Sequence, residues 1–531
     1  MQEREDSEQQ KGDGLSVRAV ILGCILAALF TFVNSYLNIN FGMGLGFGGV
    51  TILLAYVIFH KVLGGSNKRE IALAWVLAGS SLSAAASVGF LIYLQEVIPN
   101  NGLPEWLVPQ GLVIQNKVIF SGEWVSPILV VFFFLATGGL LGVILGYGTY
   151  QLFVKSRRMV FPNFSMQAVI VDSCFKGRGP IRFLTLFMVA GFVITFIQFV
   201  LKVFGIETTM VDFSPYLPQG FLFGLALNVA FIALGYFIGA PVALSILIGS
   251  LASYVIISPI LVNQGIVGYS PDSMQLYMDL LYKFMMSPGV GMMLMAGIFL
   301  SVMGMIRARF RKATTNSSDA QERKGSTLGY GELFRFFFHS LITNKWLLFG
   351  FAGTAMPIIV FAYYINFLYP FPPVVSMIFA LFFLLAASFF DFVIITKMAG
   401  EAGMSTGIQS IIFYELPLFA AGYKGYTGYI AQPGRSDPFI GSSIVGYAKV
   451  KDMLNMDLKS VVKAILIGWL PSFVSSLVFI LAMWRTVGFG TPLMPCVSFI
   501  QNRLIYQMFA ERTVTGILDP ATFLAGGVIG A

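Results

Sequence analysis

Two carboxylates lie inside long runs of apolar residues, where an ionisable side chain could do chemistry. Asp391 stands in SFFDFVIITK and Glu415 in IIFYELPLF. A carboxylate in apolar surroundings usually faces a cavity or a partner, and it can load and release a proton. Lys397 follows Asp391 closely, so a structural ion pair is the alternative. We take Glu415 as the first choice for proton coupling and Asp391 as the second, because Pro417 should break the helix beside Glu415.

Two segments rich in small residues could bring the backbone close to a substrate. Residues 41–49, FGMGLGFGG, alternate glycine with apolar residues, and residues 400–409, GEAGMSTGIQ, combine glycines with hydroxyl side chains. Such stretches permit close packing of helices. Alternatively, they interrupt a helix and aim its N-terminal dipole at substrate. The sequence leaves both interpretations open.

Membrane-spanning helices must position these residues. The chain has 531 residues, of which 57% are hydrophobic and 11% charged, and its mean hydropathy is +0.81. No water-soluble domain of this size could bury so much apolar surface. About 20 apolar residues cross the hydrocarbon core as a helix, which predicts an all-α, polytopic membrane bundle. The predicted spans are 17–38, 43–62, 71–97, 125–150, 183–206, 219–238, 241–263, 284–306, 346–367, 373–396, 404–422 and 461–483.

Loop charge predicts the orientation of the bundle. The loops after the second and fourth spans are rich in Lys and Arg, whereas those after the third, fifth and seventh are not. Residues 307–345 are also strongly basic. Because basic loops remain in the cytoplasm, the N-terminus and this segment are both predicted to be cytoplasmic. An even number of spans must then separate them, as the predicted set has. The expected location is the plasma membrane.

The polar segments divide the chain. Residues 1–16 are polar and acidic, which predicts a disordered cytoplasmic tail. Residues 307–344 have the composition of a cytoplasmic linker between a first transmembrane half, 17–306, and a second, 345–531. A Tyr-aliphatic-Asn triplet that recurs at the end of the first span of each half favours two related halves.

Three further segments are too short or too polar to span the bilayer. They are expected to form re-entrant or interfacial helices, and they are residues 159–172, 400–409 and 447–460.

Several motifs, in this order along residues 17–510, make the chain resemble the oligopeptide transporter superfamily, which includes the yellow-stripe-like metal-chelate carriers. They are NSYLNINFG (34–42), similar to Asn-x-Tyr-x-Gly-Leu-Lys-x-Gly; FPNFSMQAV (161–169), similar to Phe-Pro-Glu-Gly; the glycine-rich YFIGAPVALSILIGSLASY (236–254); AGMSTGIQS (402–410); and GYAKVKDMLNMDLKSVVKAILIG (446–468).

The chain also departs from the family pattern. Asn38 and Asn40 stand where the family has Gly and Lys, Asn163 replaces Glu, and no Asn-Pro pair precedes Ser405. The last residues, FLAGGVIGA, resemble the beginning of another span. We therefore expect a truncated or split member, or a homo-oligomer or second subunit that completes the bundle.

The resemblance implies a secondary transporter that moves small peptides or metal chelates by proton symport, with lipid around it and without a cofactor. Substrate contacts are expected at the small-residue openings and at the matched motifs. The expected substrate-binding residues are Asn34, Tyr36, Asn38, Gly42, Gly44, Phe161, Pro162, Ser405, Thr406, Gln409 and Tyr414.

Other classes of protein are less consistent with these features. The net charge of +8 is explained by cytoplasmic loops that face anionic lipid, so nucleic acid is not an expected partner. Three scattered cysteines and two distant histidines predict neither a disulfide nor a metal site. A membrane-embedded enzyme, such as a lipid-linked transferase, would need an interfacial catalytic constellation that the sequence does not show. A non-transporting scaffold remains the third alternative.

The first prediction concerns topology. In a variant without Cys24, Cys174 and Cys496, a cysteine placed between residues 311 and 330 should resist an impermeant thiol reagent in intact cells and react after lysis, because the basic segment is cytoplasmic. Gly102→Cys, in the predicted outer loop after the third span, is the positive control. Labelling of the linker in intact cells would overturn the orientation.

Overall fold

The computed structural model is a helical bundle with one small β-hairpin. It describes residues 15–41, 47–65, 67–80, 82–98, 101–155, 159–176, 178–203, 210–226, 240–289, 291–292, 330–403, 407, 410–491, 493–512 and 519–530. The predicted all-α membrane class is confirmed.

The helices of the amino-terminal part come first. They are α1 (Val17–Phe41), α2 (Gly48–Val57) with a π-helical turn (Ile58–Val62), α3 (Lys68–Gly79), α4 (Ala84–Val97), α5 (Leu112–Gln115), a 3₁₀ turn (Gly122–Trp124), α6 (Val125–Lys155), α7 (Pro162–Phe175) and α8 (Arg178–Val203). A hairpin of β1 (Met210–Asp212) and β2 (Gly224–Ala226), with a 3₁₀ turn (Ser214–Tyr216) between them, precedes α9 (Ala240–Leu251), a π-helical segment (Ala252–Ile257), α10 (Ser258–Asn263), α11 (Ser273–Leu280) and a further π-helical turn (Leu281–Met285).

The carboxy-terminal part contains shorter and more often interrupted helices. They are α12 (Tyr330–Thr343), α13 (Lys345–Ile365), α14 (Pro373–Phe382), a π-helical turn (Phe383–Ala387), α15 (Ser388–Ala402), α16 (Ser410–Phe413), α17 (Glu415–Ala420), α18 (Thr427–Ile430), α19 (Pro438–Val450), α20 (Leu458–Thr486), α21 (Val497–Ala510) and α22 (Pro520–Gly530).

Seven of the described helices, some of them joined end to end, are long and apolar enough to cross a membrane. They are Val17–Asn40, Lys68–Val97, Gly122–Val154, Ala243–Asn263, Lys345–Ile365, Pro373–Ala402 and Leu458–Thr486. Each corresponds to a span predicted from hydropathy. A further predicted span, 183–206, begins within α8, whereas 284–306 lies mostly outside the described residues.

Three of the predicted spans are wrong as continuous helices. Within 71–97, the chain leaves the helical conformation between α3 and α4. Within 219–238, residues 224–226 form β2, which pairs antiparallel with β1. Gly220 has a φ of +88° and a Cβ there would lie 2.8 Å from Pro259, so the chain turns at this point. Within 404–422, the described residues form two short helices, α16 and α17, which are separated at Tyr414. Hydropathy averages over a window and cannot detect a one-residue break.

Apolar residues cover the outside of the bundle and polar residues lie inside it. On α20, Leu470, Val474 and Val478 are exposed on one face, whereas Ser472 and Ser476 on the opposite face are buried. The Ser472 hydroxyl donates to the Ser80 carbonyl at 2.9 Å, at the break between α3 and α4. Such small polar residues are the usual means by which membrane helices pack together.

A stripe of glycines on α6 brings another backbone into direct contact. Gly138, Gly142 and Gly146 are spaced by four residues, so they share one helix face. A Cβ at Gly138 would lie 2.8 Å from the Arg435 carbonyl oxygen, and a Cβ at Gly142 would overlap the Asp437 carbonyl oxygen. The stripe is therefore the surface on which residues 435–441 rest.

Ion pairs tie α1, α3 and α7 together at the end of the bundle that loop charge predicts to be cytoplasmic. Arg18 on α1 contacts buried Glu70 at 2.6 Å, and Asp172 on α7 contacts Lys176 at 2.6 Å and Lys68 at 2.5 Å. The hydrogen bonds from Lys176 and then Lys68 hold the pKa of Asp172 below its ordinary value. Because that pKa is lowered, these pairs persist at neutral and mildly acid pH and weaken only as the pH falls through the lowered pKa.

The second prediction tests the glycine stripe. Gly142→Ala should destabilise the protein by about 1–3 kcal/mol, because the added methyl group must push the Asp437 backbone away from α6. Thermal stability in detergent would be measured by tryptophan fluorescence. Gly353→Ala on α13 is the matched control, since a Cβ there meets no atom within 4 Å. Equal stability of the two variants would show that the stripe tolerates a side chain.

Candidate functional site

The first helix break places Tyr414 and Glu415 in the interior. Tyr414 separates α16 from α17, and both side chains are buried. Pro417 lies within the first turn of α17, where a missing N–H costs nothing because that donor has no helical partner. The structure therefore has the predicted helix break directly beside Glu415, at Tyr414, where Pro417 removes the hydrogen bond to the Phe413 carbonyl.

The second break is a non-helical segment between α18 and α19, residues 431–437, which contains a turn in which the Arg435 N–H donates to the Gln432 carbonyl at 3.1 Å. Gly434 has a φ of +91°, and a Cβ there would lie 2.6 Å from the Ala380 carbonyl oxygen, so only glycine fits. Asp437 then caps α19: its side chain accepts hydrogen bonds from the backbone N–H groups of Phe439 at 3.0 Å and Ile440 at 3.2 Å. Pro438 follows as the first helical residue.

Residues 431–437 contact two spans, and each contact lies near the middle of its span. The Asp437 N–H donates to the Gly138 carbonyl at 2.8 Å, and Gly138 lies halfway along the span Gly122–Val154. The Ser388 hydroxyl donates to the Gly434 carbonyl and accepts from the Ser436 N–H, each at 3.0 Å. Ser388 lies at the middle of the span Pro373–Ala402. Irregular backbone within a span is tolerated where protein buries it or where it lines a cavity, and most of residues 431–437 are buried.

An ion pair joins the two breaks. Arg435 Nη1 donates to Glu415 Oε1 at 3.1 Å and to Gln432 Oε1 at 2.8 Å. The guanidinium also lies 4.6 Å above the centre of the Tyr414 ring, a cation–π contact. The Glu415 side chain is only 3% exposed, whereas that of Arg435 is 35% exposed. A buried carboxylate is thus paired with an arginine whose side chain is only partly buried.

Two buried polar atoms in this cluster lack a hydrogen-bond partner. Among the described residues, neither Glu415 Oε2 nor Gln432 Nε2 has a hydrogen-bond partner, although both atoms are buried. Such groups are costly and usually mark a position that another molecule completes. Both side chains already hold Arg435 through their other polar atom.

Asp391 lies one helical turn from Ser388 and is fully buried. It accepts a hydrogen bond of 2.8 Å from the Ser410 hydroxyl, at the start of α16. Tyr414, at the break, lies between Ser410 and Glu415 in the sequence, and its hydroxyl hydrogen-bonds to Ser388 on α15 at 3.0 Å. The two predicted proton-coupling carboxylates therefore lie at the same helix break. Lys397, farther along α15, interacts electrostatically with Glu401.

The predicted substrate residues of the first motif lie at the end of α1. The Tyr36 hydroxyl donates to the Leu493 carbonyl at 3.0 Å, Asn34 is half-buried and Asn38 is exposed. The contacts of this motif are thus with the loop that precedes α21. Gly42, Gly44, Ser405, Thr406 and Gln409 lie outside the described residues.

The Phe161-Pro162 motif is attached to the carboxyl end of α15. The backbone N–H groups of Val160 and Phe161 both donate to the Gly400 carbonyl at 2.9 Å, and the Asn163 amide donates to the Gly403 carbonyl at 2.6 Å. A cavity of about 120 Å³ adjoins this junction. Its lining residues are Asn163, Phe164, Ala399, Gly403, Phe439, Ser442 and Ser443.

Arg435 is the partner of Glu415 that sequence reasoning missed. It stands in AQPGRSDP, a polar stretch with Pro and Gly that is typical of an exposed turn. The sequence before it, GYKGYTGYI, contains Lys424 and Thr427 and gives no signal of burial. Tyr506 on α21 also faces the guanidinium, and nothing in its local sequence indicates this.

Interrupted helices that meet at a buried ion pair beside the middle of two long spans are a feature of many membrane transporters. The family model described as OPT oligopeptide transporter protein matches residues 14–433, and the chain belongs to this family. It is an integral membrane protein of a family of transporters for oligopeptides. The match includes Asp391, Glu415 and Gln432 and ends just before Arg435. No curated protein gives a significant match to the chain.

The third prediction concerns Ser388. Ser388→Ala should lower the free energy of unfolding by about 1–3 kcal/mol, because the Ser436 N–H and the Gly434 carbonyl both lose their buried partner. Thermal stability and initial uptake rate should fall together, because Ser388 holds residues 431–437, which include Arg435. Thr149→Val is the control, because its buried hydroxyl donates to the Leu145 carbonyl of its own helix. A Ser388→Ala protein as stable as the control would contradict this role.

Proposed function

We propose that the protein is a proton-coupled carrier of small peptides in the plasma membrane, with its N-terminus in the cytoplasm. The observation that supports this proposal is the Glu415–Arg435 ion pair, which joins two helix breaks at half the membrane depth. Glu415 is the proton-coupling residue, and Asp391, which faces the same break, is the second. Loop charge supports the orientation.

The coupling follows from the burial of Glu415. A carboxylate that is only 3% exposed keeps its charge while Arg435 is beside it. When a rearrangement of the helix breaks separates the two groups, the carboxylate loses its counter-charge in a low-dielectric site and takes up a proton. Return of Arg435 favours release of that proton. The ion pair therefore alternates between two charge states as access alternates.

The broken helices supply the moving parts. Residues 431–437 are held by two hydrogen bonds with Ser388, by one to the Gly138 carbonyl and by a turn of their own, rather than by a continuous helical ladder. Short helices beside such a segment can tilt without breaking long helices, which is how discontinuous helices serve alternating access. The spans that contain Gly138 and Ser388 act as the frame.

Small peptides are the proposed cargo because the family transports oligopeptides. Metal chelates are the alternative cargo, suggested by the resemblance to yellow-stripe-like carriers. Uptake into proteoliposomes of a labelled tripeptide, in competition with unlabelled peptides and with siderophore-type chelates, separates the two classes. A lipid-linked transferase or a scaffold would accumulate neither.

The fourth prediction assigns the coupling. Glu415→Gln should abolish peptide accumulation driven by an imposed pH gradient while counterflow exchange of peptide remains, because glutamine keeps the shape and removes the titration. The matched control is Glu70→Gln, which also neutralises a buried carboxylate paired with an arginine, but at the predicted cytoplasmic end.

The measurement is the ratio of internal to external peptide in proteoliposomes at several external pH values. The Asp172 ion pairs remain formed over neutral and mildly acid pH, so loss of α7 docking does not imitate the effect. If Glu415→Gln still concentrates peptide with an unchanged pH profile, Glu415 is structural. Asp391→Asn is then the next variant to measure.

A further inference from the structure

The polar atoms around Arg435 form a site that is only partly filled. A guanidinium offers five N–H donors in a planar fork that matches a carboxylate. Arg435 Nη1 contacts Glu415 Oε1 and Gln432 Oε1, and about a third of the side chain remains exposed. Part of the arginine is thus exposed, whereas the carboxylate that it pairs with is buried.

The two side chains that hold Arg435 each have a second polar atom without a hydrogen-bond partner. Gln432 Nε2 is a buried donor without a hydrogen-bond partner among the described residues, and Glu415 Oε2 is a buried acceptor in the same situation. A carboxylate on the guanidinium would supply the acceptor that the Gln432 amide lacks. The set therefore suits an anion of planar, bidentate shape.

We propose that Arg435 binds a carboxylate of the cargo in exchange for Glu415, with the Gln432 amide as the second donor. The cargo class that this site selects is peptides with a free carboxyl terminus. The inference rests on the proposed peptide transport and names the part of the peptide that is recognised.

Charge balance links this exchange to the proton. In the structure, the Arg435 guanidinium contacts one carboxylate, Glu415, and interacts electrostatically with a second, Asp391. A cargo carboxylate would add a further negative charge to the same buried site, and this is costly unless Glu415 takes up a proton. Binding of one carboxylate thus requires uptake of one proton by Glu415, and no covalent bond other than O–H forms. Release of the cargo returns Glu415 to Arg435 and frees the proton.

The other groups that face Glu415 are compatible with this exchange. Asp391 on α15 and the hydroxyls of Tyr506 and Tyr429 interact with it electrostatically, and Arg435 is the cation among these neighbours. The Tyr414 ring, 4.6 Å from the guanidinium carbon, holds the arginine after Glu415 has left it. This contact keeps Arg435 at the site in both charge states.

The fifth prediction compares peptides that differ only at their ends. For the unmodified protein in proteoliposomes, a C-terminally amidated tripeptide should compete with a labelled tripeptide about 10- to 100-fold less well than its free acid does, because a charge-assisted bidentate contact is lost. N-acetylation of the same peptide should cost less. Arg435→Gln should remove the discrimination between acid and amide.

Arg512→Gln is the matched control. Arg512 also stacks on an aromatic ring, 4.6 Å above Phe419, and donates to a carbonyl at 3.2 Å, but it lies outside the Glu415 pair. This variant should keep the preference for the free acid. The Arg435→Lys protein should bind free-acid peptide more weakly than the unmodified protein but retain part of its preference for the free acid. The reason is that an ammonium group keeps the positive charge but cannot make the bidentate contact of a guanidinium.

A second readout follows the proton directly. Addition of free-acid peptide to purified protein in weak buffer should raise the pH, through uptake of about one proton per bound peptide; the Glu415→Gln protein should bind without this change. Equal competition by acid and amide in the unmodified protein would overturn the carboxylate site while leaving proton-driven transport intact. Absence of uptake of any peptide would overturn both proposals.

Discussion

The ion pair between Glu415 and Arg435 is the interaction on which the interior of the bundle depends. Two charges at half the membrane depth are tolerated only together, because the hydrocarbon offers neither water nor counter-ions. Their pairing requires a helix end at Tyr414 and a non-helical backbone at 431–437. Each unwound residue in turn needs polar partners, and the structure supplies them through the Gly138 carbonyl, the Ser388 hydroxyl and the Asp437 cap.

The packing of the long spans follows from the same requirement. The backbone of residues 435–441 can reach α6 only because the facing residues are glycines, which leave no side chain between the two chains. A π-helical turn at Phe383–Ala387 directly precedes Ser388, and such turns commonly occur where a helix adapts to a functional site. Apolar side chains on the outer faces, such as Leu470 and Val474, then provide the lipid-facing surface.

α15 connects the ion-pair site with the predicted cytoplasmic end. Ser388 and Asp391 at its beginning contact the two helix breaks, and Gly400 near its end accepts the backbone N–H groups of Val160 and Phe161. A single helix therefore touches both the buried charges and the Phe161-Pro162 motif.

The sequence by itself determined the membrane class, most of the spans and the two carboxylates within apolar runs, because these features depend on composition and length. It did not reveal the role of Arg435. A polar Pro-Gly segment has the same local signature whether it lies in water or at mid-membrane, and only its contacts with Gly138 and Ser388 distinguish the two. The partner of Glu415, the hairpin at 224–226 and the glycine stripe were likewise decided by tertiary structure, since each depends on what a distant part of the chain brings into contact.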